Sequence, residues 1–186
     1  MSKTRWEFAI LTVLLLATRV WDAAATYAVT PDLARETNPI VSLFGQGWTG
    51  VLVAQAVLVS VVIVLSYYSL FRVKRVHPSQ DGLGFRDFVA LYYFGEEKNL
   101  TRLLYEFPAD KRVLTGLLGY VLPRTLIVVG AFISLSSMFL ARSVAYRGFY
   151  AVARPYYYGI LAGVAIAFCV LFFRREYAMY GAGSPT

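Results

Sequence analysis

Four apolar runs, each long enough to carry a helix across ~30 Å of hydrocarbon, restrict this chain to a membrane-spanning helical bundle. They cover residues 6–29, 48–71, 123–141 and 156–173 of 186. Lipid cannot satisfy a backbone amide, so an apolar span of this length must close its own hydrogen bonds as an α-helix. The expected fold class is all-α: a polytopic membrane protein with four transmembrane helices, forming one domain over residues 1–186. The sequence is 58% hydrophobic, against about 45–50% in soluble domains. What remains outside the runs is too short for a soluble domain of ordinary size.

The first run begins like a secretory signal, with Lys3 and Arg5 before an apolar stretch and small residues at Ala23 and Ala25. Such signals end in a small, uncharged cleavage region. Arg19, Trp21 and Asp22 do not suit one, so a retained helix is expected.

A net charge of +7 raises nucleic acid as a partner in a soluble protein. Here the charges sort by membrane side instead. With four spans, both termini and the middle loop share a side. That side carries twelve of the eighteen Lys and Arg residues, whereas Arg35, Arg142, Arg147 and Arg154 lie on the other. Basic residues favour the cytoplasm. The expected location is the cell (inner) membrane, multi-pass, with N- and C-termini cytoplasmic.

The middle loop, residues 72–112, is more than a linker. Phe85, Phe88, Val89 and Tyr92 recur at helical spacing, and so do Leu100, Leu103, Leu104 and Phe107. Each set is one apolar stripe on a short amphipathic helix. Ser79 or Asp81 can open the first and Gly95 close it, while Asn99 can cap the second. Two such helices either lie in the lipid interface or pack on the bundle or a partner. In the first case Arg72, Lys74, Arg75, Lys111 and Arg112 would meet lipid head groups.

The main polar constellation falls between the first two spans. Asp22 and Thr26 share a helix face, and Arg19 lies three residues before Asp22, a spacing that allows an ion pair. Glu36-x-Asn38-Pro39 follows, and Pro39 disfavours helix at Asn38. Asp22, Thr26, Glu36 and Asn38, with Arg19 as counter-charge, can act as a structural polar clamp. The same oxygen set can hold a hard cation, and two carboxylates can form an acid–base pair. The clamp is the leading expectation.

Asp22-x-x-x-Thr26 followed by Glu36-x-Asn38-Pro39 resembles the signature of an uncharacterised family of small prokaryotic four-helix membrane proteins. The resemblance covers residues 19–39. This chain departs from the pattern in having Pro31-Asp-Leu-Ala-Arg35 in place of a glycine-rich turn. It implies a membrane fold and interest in Asp22, Glu36 and Asn38, without an activity.

Other polar residues read as structural. His77, the single histidine, follows the second span and is expected as a helix cap or lipid contact. Cys169, the single cysteine, lies in an apolar run and allows no intrachain disulfide. Arg124 depends on where the third helix starts. From Val113 it would lie ~18 Å along the helix, needing a partner such as Asp22 or a lipid phosphate. From Pro123, a favoured first position, it sits at the interface, and this start is expected. Arg and Tyr interleave in residues 142–158, as in an interfacial belt or subunit-docking surface. Gly159 and Gly163 form a Gly-x-x-x-Gly, a helix-packing pattern in membranes.

No phosphate loop, His-Glu-x-x-His, Gly-x-Ser-x-Gly or Cys-x-x-Cys occurs in the sequence. The sequence calls for no metal and no cofactor, and its expected partners are membrane lipids and other integral membrane subunits, or itself. The expected function is a non-catalytic integral membrane protein, a small subunit or assembly partner of a larger membrane complex. The alternative is a lipid- or ion-binding membrane protein or enzyme using Asp22, Glu36 and Asn38.

Overall fold

The computed structural model describes residues 2–33 and 47–183, which form helices and connecting turns with no strand among them. α1 spans Lys3–Val29 and α2 spans Trp48–Tyr67, the latter ending in a π-helical turn at Tyr68–Arg72. α3 spans Phe85–Phe94, and a short 3-10 turn follows at Leu100–Leu104. α4 spans Lys111–Arg142 and α5 spans Val144–Gly183. Four of these helices, α1, α2 with its π turn, α4 and α5, are long and apolar enough to cross a membrane. The protein is therefore an all-helical bundle suited to a membrane.

α4 is the central post. α1, α2 and α5 each pack along it, and α5 also meets the short α3. Phe8 of α1 meets the rings of Tyr67 and Phe71 at 6.1 and 5.6 Å. Residues 72–110 and the N-terminal end of α1 therefore lie at one end of the bundle. At the other end Trp48 donates from its ring nitrogen to the Pro31 carbonyl at 2.7 Å, and its ring meets Tyr27 at 5.6 Å. Leu15, Val59 and Val62 form the core between α1, α2 and α4.

The start of α4 corrects the sequence reading. The helix begins at Lys111, where the Asp110 side chain accepts the Arg112 amide at 2.8 Å, and it runs straight through Pro123. A proline inside a helix withholds an N–H from the carbonyl four residues back, here that of Gly119. The Ser66 hydroxyl of α2 donates to that carbonyl at 3.3 Å. One turn earlier Ser69 donates to the Gly116 carbonyl at 3.1 Å. The approach needs glycine: a Cβ at Gly119 would overlap the Leu65 carbonyl oxygen and the Ser69 side chain. Ser66, Gly119 and Pro123 thus form one device, in which a neighbouring helix replaces the missing donor.

α5 also exceeds its expected range. A single residue, Ser143, separates it from α4, so residues 144–155, expected as a loop, continue the helix.

The middle segment divides in two. The apolar stripe of α3 packs on the bundle end rather than facing lipid. Phe88, Val89, Tyr92, Tyr93 and Phe94 are buried against Val113 and Val121 of α4 and Phe172, Phe173 and Tyr180 of α5. Gly95, at φ +75°, closes α3 in the left-handed conformation that glycine tolerates. Its start is Gly84 rather than Ser79 or Asp81. The second apolar set is shorter than expected, a five-residue turn capped by Asn99. Three residues per turn do not align its stripe, and Leu104 and Phe107 stay exposed.

Candidate functional site

Three polar groupings stand out. Toward the C-terminal end of α1, Arg19 and Asp22 form the expected pair at 3.5 Å. The structure adds a partner that the sequence does not show: Arg19 donates to the Leu126 carbonyl of α4 at 3.1 Å. The end of its guanidinium occupies the space beside Gly130, where a Cβ would collide with it. Arg19 is thus a strut between α1 and α4. Thr26 gives its backbone carbonyl to the Thr30 amide at 2.8 Å, closing the helix end. Glu36 and Asn38, the other two members of the expected cluster, lie outside the described residues. Beside Arg19, a cavity of about 340 Å³ opens between α1 and α2, lined by Leu16, Val20, Leu52, Gln55 and Val59.

The second grouping lies at the opposite end and is centred on Glu7. Arg124 of α4 and Arg175 of α5 both donate to Glu7 Oε1, the latter at 3.3 Å. Arg124 also donates to the Tyr120 carbonyl at 2.8 Å, and its guanidinium rests 3.8 Å from the Tyr120 ring centre. This resolves the position of Arg124. It lies inside α4, not at a helix start, and the side chain it meets is not Asp22 but Glu7, in the first turns of α1.

The third grouping is centred on Glu176 of α5, whose side chain is 3% exposed. A buried carboxylate needs compensating partners. Arg75 reaches it at 3.3 Å, His77 at 3.3 Å and the Tyr92 hydroxyl at 3.4 Å. Burial first, and then the Glu176 charge, push the Tyr92 hydroxyl above the ordinary phenol range, so it remains a donor. His77, expected as a helix cap or lipid contact, instead faces the Glu176 carboxylate beside Arg75. The Tyr177 and Tyr180 hydroxyls donate to the carbonyls of Leu83 and Gln80, fastening the same connection. A cavity of about 300 Å³ adjoins the clamp, bounded by His77, Gln80, Tyr92 and Asp110.

Of the five residues expected to meet lipid head groups, Arg75 belongs to the Glu176 clamp. Arg112 is bound to Asp110, whose carboxyl the Arg112 side chain and amide hold below its usual range. Arg72, Lys74 and Lys111 are exposed and make no ion pair among the described residues.

Sequence reasoning missed Glu7 and Glu176, and both carried a signal. Glu176 sits between Phe172 and Tyr180 at four-residue spacing, an acid on an aromatic stripe. Glu7 lies on the line of α1 that continues to buried Leu15 and Thr18. An acid on a core-facing line implies a partner. Among the described residues, no three His, Cys, Asp or Glu side chains gather closely enough to hold a metal ion.

Compared with known proteins, the chain matches no family model, no curated protein and no solved structure.

Proposed function

We propose that this protein is a non-catalytic, multi-pass subunit that assembles with other membrane-embedded chains through α5, with both termini in the cytoplasm of a cell (inner) membrane. The Lys and Arg asymmetry supports the orientation. The observation that carries the assembly reading is Gly159 and Gly163. A Cβ at either position would meet nothing within 4 Å. Glycine weakens a helix interior by about 1 kcal/mol relative to alanine. In membranes that cost is offset where another helix approaches closely, and among the described residues no element does so. Gly159, Gly163, Ile166 and Val170 follow one another on an exposed line of α5, a stripe suited to a second helix. The carboxylates of the three groupings are each held by partners: Asp22 by Arg19, Glu7 by two arginines, Glu176 by Arg75, His77 and Tyr92. Such saturation suits clamps better than reacting groups.

The test is native mass spectrometry after gentle extraction, comparing the natural chain with Gly159→Leu and Gly163→Leu. The reading expects co-eluting membrane chains at fixed stoichiometry, lost in both variants while helix content stays unchanged. A lone chain in every sample contradicts it.

The alternative reading, a lipid- or ion-binding role for Asp22, Glu36 and Asn38, draws on the cavity beside Arg19. Glu36→Gln separates the two. Assembly with loss of function favours a site, and loss of folding favours a clamp.

A further inference from the structure

The Glu7 grouping carries more positive charge than it neutralises. Two guanidiniums share one carboxylate oxygen, leaving a surplus of one charge among Glu7, Arg124 and Arg175. A surplus cation at a bilayer is costly unless an anion meets it. Donor capacity is also left over. Each guanidinium carries five N–H donors. Arg175 is bound through Nη1 only, and its Nε and Nη2 make no hydrogen bond among the described residues. The Tyr120 ring lies under both guanidiniums, 3.8 Å from Arg124 and 5.4 Å from Arg175. Contact with a ring face positions a guanidinium and leaves its edge free.

The location fits a head group. Trp6, Tyr67 and Tyr68, all exposed, surround this end of the bundle, as aromatic side chains do at a membrane interface. Arg174 and Arg175 follow the apolar run that ends at Phe173. Its side chain is 33% exposed, against 15% for Arg124, so the grouping is closed on the α4 side and open at Arg175. A planar, forked donor at such an opening matches the oxygens of a phosphate.

We infer that Arg175 and Arg124, oriented by Tyr120 and Glu7, form a binding site for a singly charged phosphate group, supplied by the head group of an anionic phospholipid. The inference does not rest on assembly through α5. Glu7 holds the arginines when the site is empty and competes with the phosphate when it is filled.

That competition gives the experiment a sign that a purely structural clamp cannot copy. The full chain is placed in nanodiscs of phosphatidylglycerol or phosphatidylcholine, released into detergent, and scored by native mass spectrometry for retained lipid. The natural chain is expected to retain phosphatidylglycerol in preference to phosphatidylcholine. Arg175→Gln reduces that retention about tenfold, the scale of one charge-assisted contact. Lys74→Gln, an exposed cation elsewhere, leaves it unchanged. Glu7→Gln raises retention, because both guanidiniums are freed, even if it lowers thermal stability. Should Arg175→Gln fail to fold, Glu7→Gln decides alone. Millimolar inorganic phosphate that displaces the lipid shows soluble phosphate to be an equal source for the same site. Equal retention of the two lipids, unchanged retention in Arg175→Gln, or a fall in Glu7→Gln overturns the inference.

Discussion

Removal of the Ser66 hydroxyl tests how α4 keeps a proline in its interior. In Ser66→Ala the Gly119 carbonyl loses its donor, because Pro123 has no N–H to offer. The bond is 3.3 Å long and Ser66 is 3% exposed, so water does not readily replace it. Interhelical hydrogen bonds in membranes average about 0.6 kcal/mol and reach about 1.7. The long geometry points to the lower part of that range. The orphaned buried acceptor raises it to the low end of what such groups cost, about 1–3 kcal/mol. The expected loss is therefore about 1 kcal/mol. Pro123→Ala changes the outcome by supplying an N–H in helical register with Gly119. In that background Ser66→Ala should cost only about 0.3 kcal/mol, a coupling of about 0.7 kcal/mol across the double-mutant cycle. Reversible unfolding in mixed micelles, followed by helical circular dichroism, measures all four proteins. Equal costs in the two backgrounds would refute the reasoning, since the serine would then not be replacing the proline's missing donor.

Further expectations concern the three polar groupings. Gly130→Ala should destabilise the bundle by about 1 kcal/mol, the low end for overpacking, because the new methyl pushes the end of the Arg19 side chain off the Leu126 carbonyl; in an Arg19→Ala background the same methyl should be nearly neutral in thermal unfolding. Glu176→Gln should lower stability by about 2 kcal/mol, less than a fully buried pair because Arg75 is partly solvated, and limited proteolysis should then cut residues 73–84 faster. Tyr92 gives a pH signature. Its folded-state value is raised above the unfolded one, so its contribution is intact below about pH 10, the ordinary phenol value, and is lost as pH climbs past it. Tyr92→Phe should flatten that alkaline fall in melting temperature, and a fall of unchanged steepness would count against the assignment.

How much of this was legible in the sequence follows from the range of each interaction. The four spans were readable because hydropathy is a property of continuous runs, and the α3 stripe because it repeats within ten residues. Arg19–Asp22 was readable for the same reason, since both groups belong to one helix. The start of α4 was not. Pro123 favours a helix start by local preference, and what overrides it is Ser66, 57 positions earlier and visible only after the helices pack. Glu7–Arg124 and His77–Glu176 join residues about a hundred positions apart, beyond any spacing rule. The extension of α5 toward Val144 was hidden by the Arg and Tyr residues between 142 and 158, whose polarity resembles a loop. The apolar set at Leu100 to Phe107 erred in the other direction, because a helical period in eight residues is also met by a tighter turn.

Site-directed photo-crosslinking along α5 in native membranes tests the central claim most directly. A photoreactive residue is placed in turn at Gly159, Ala162, Gly163 and Ile166, and at the exposed α2 positions Val53 and Val57 for comparison. The account predicts protein adducts at Gly159 and Gly163, with a three-to-four-residue period along α5, and lipid adducts alone from α2. Lipid adducts alone at Gly159 and Gly163 would contradict assembly through this helix.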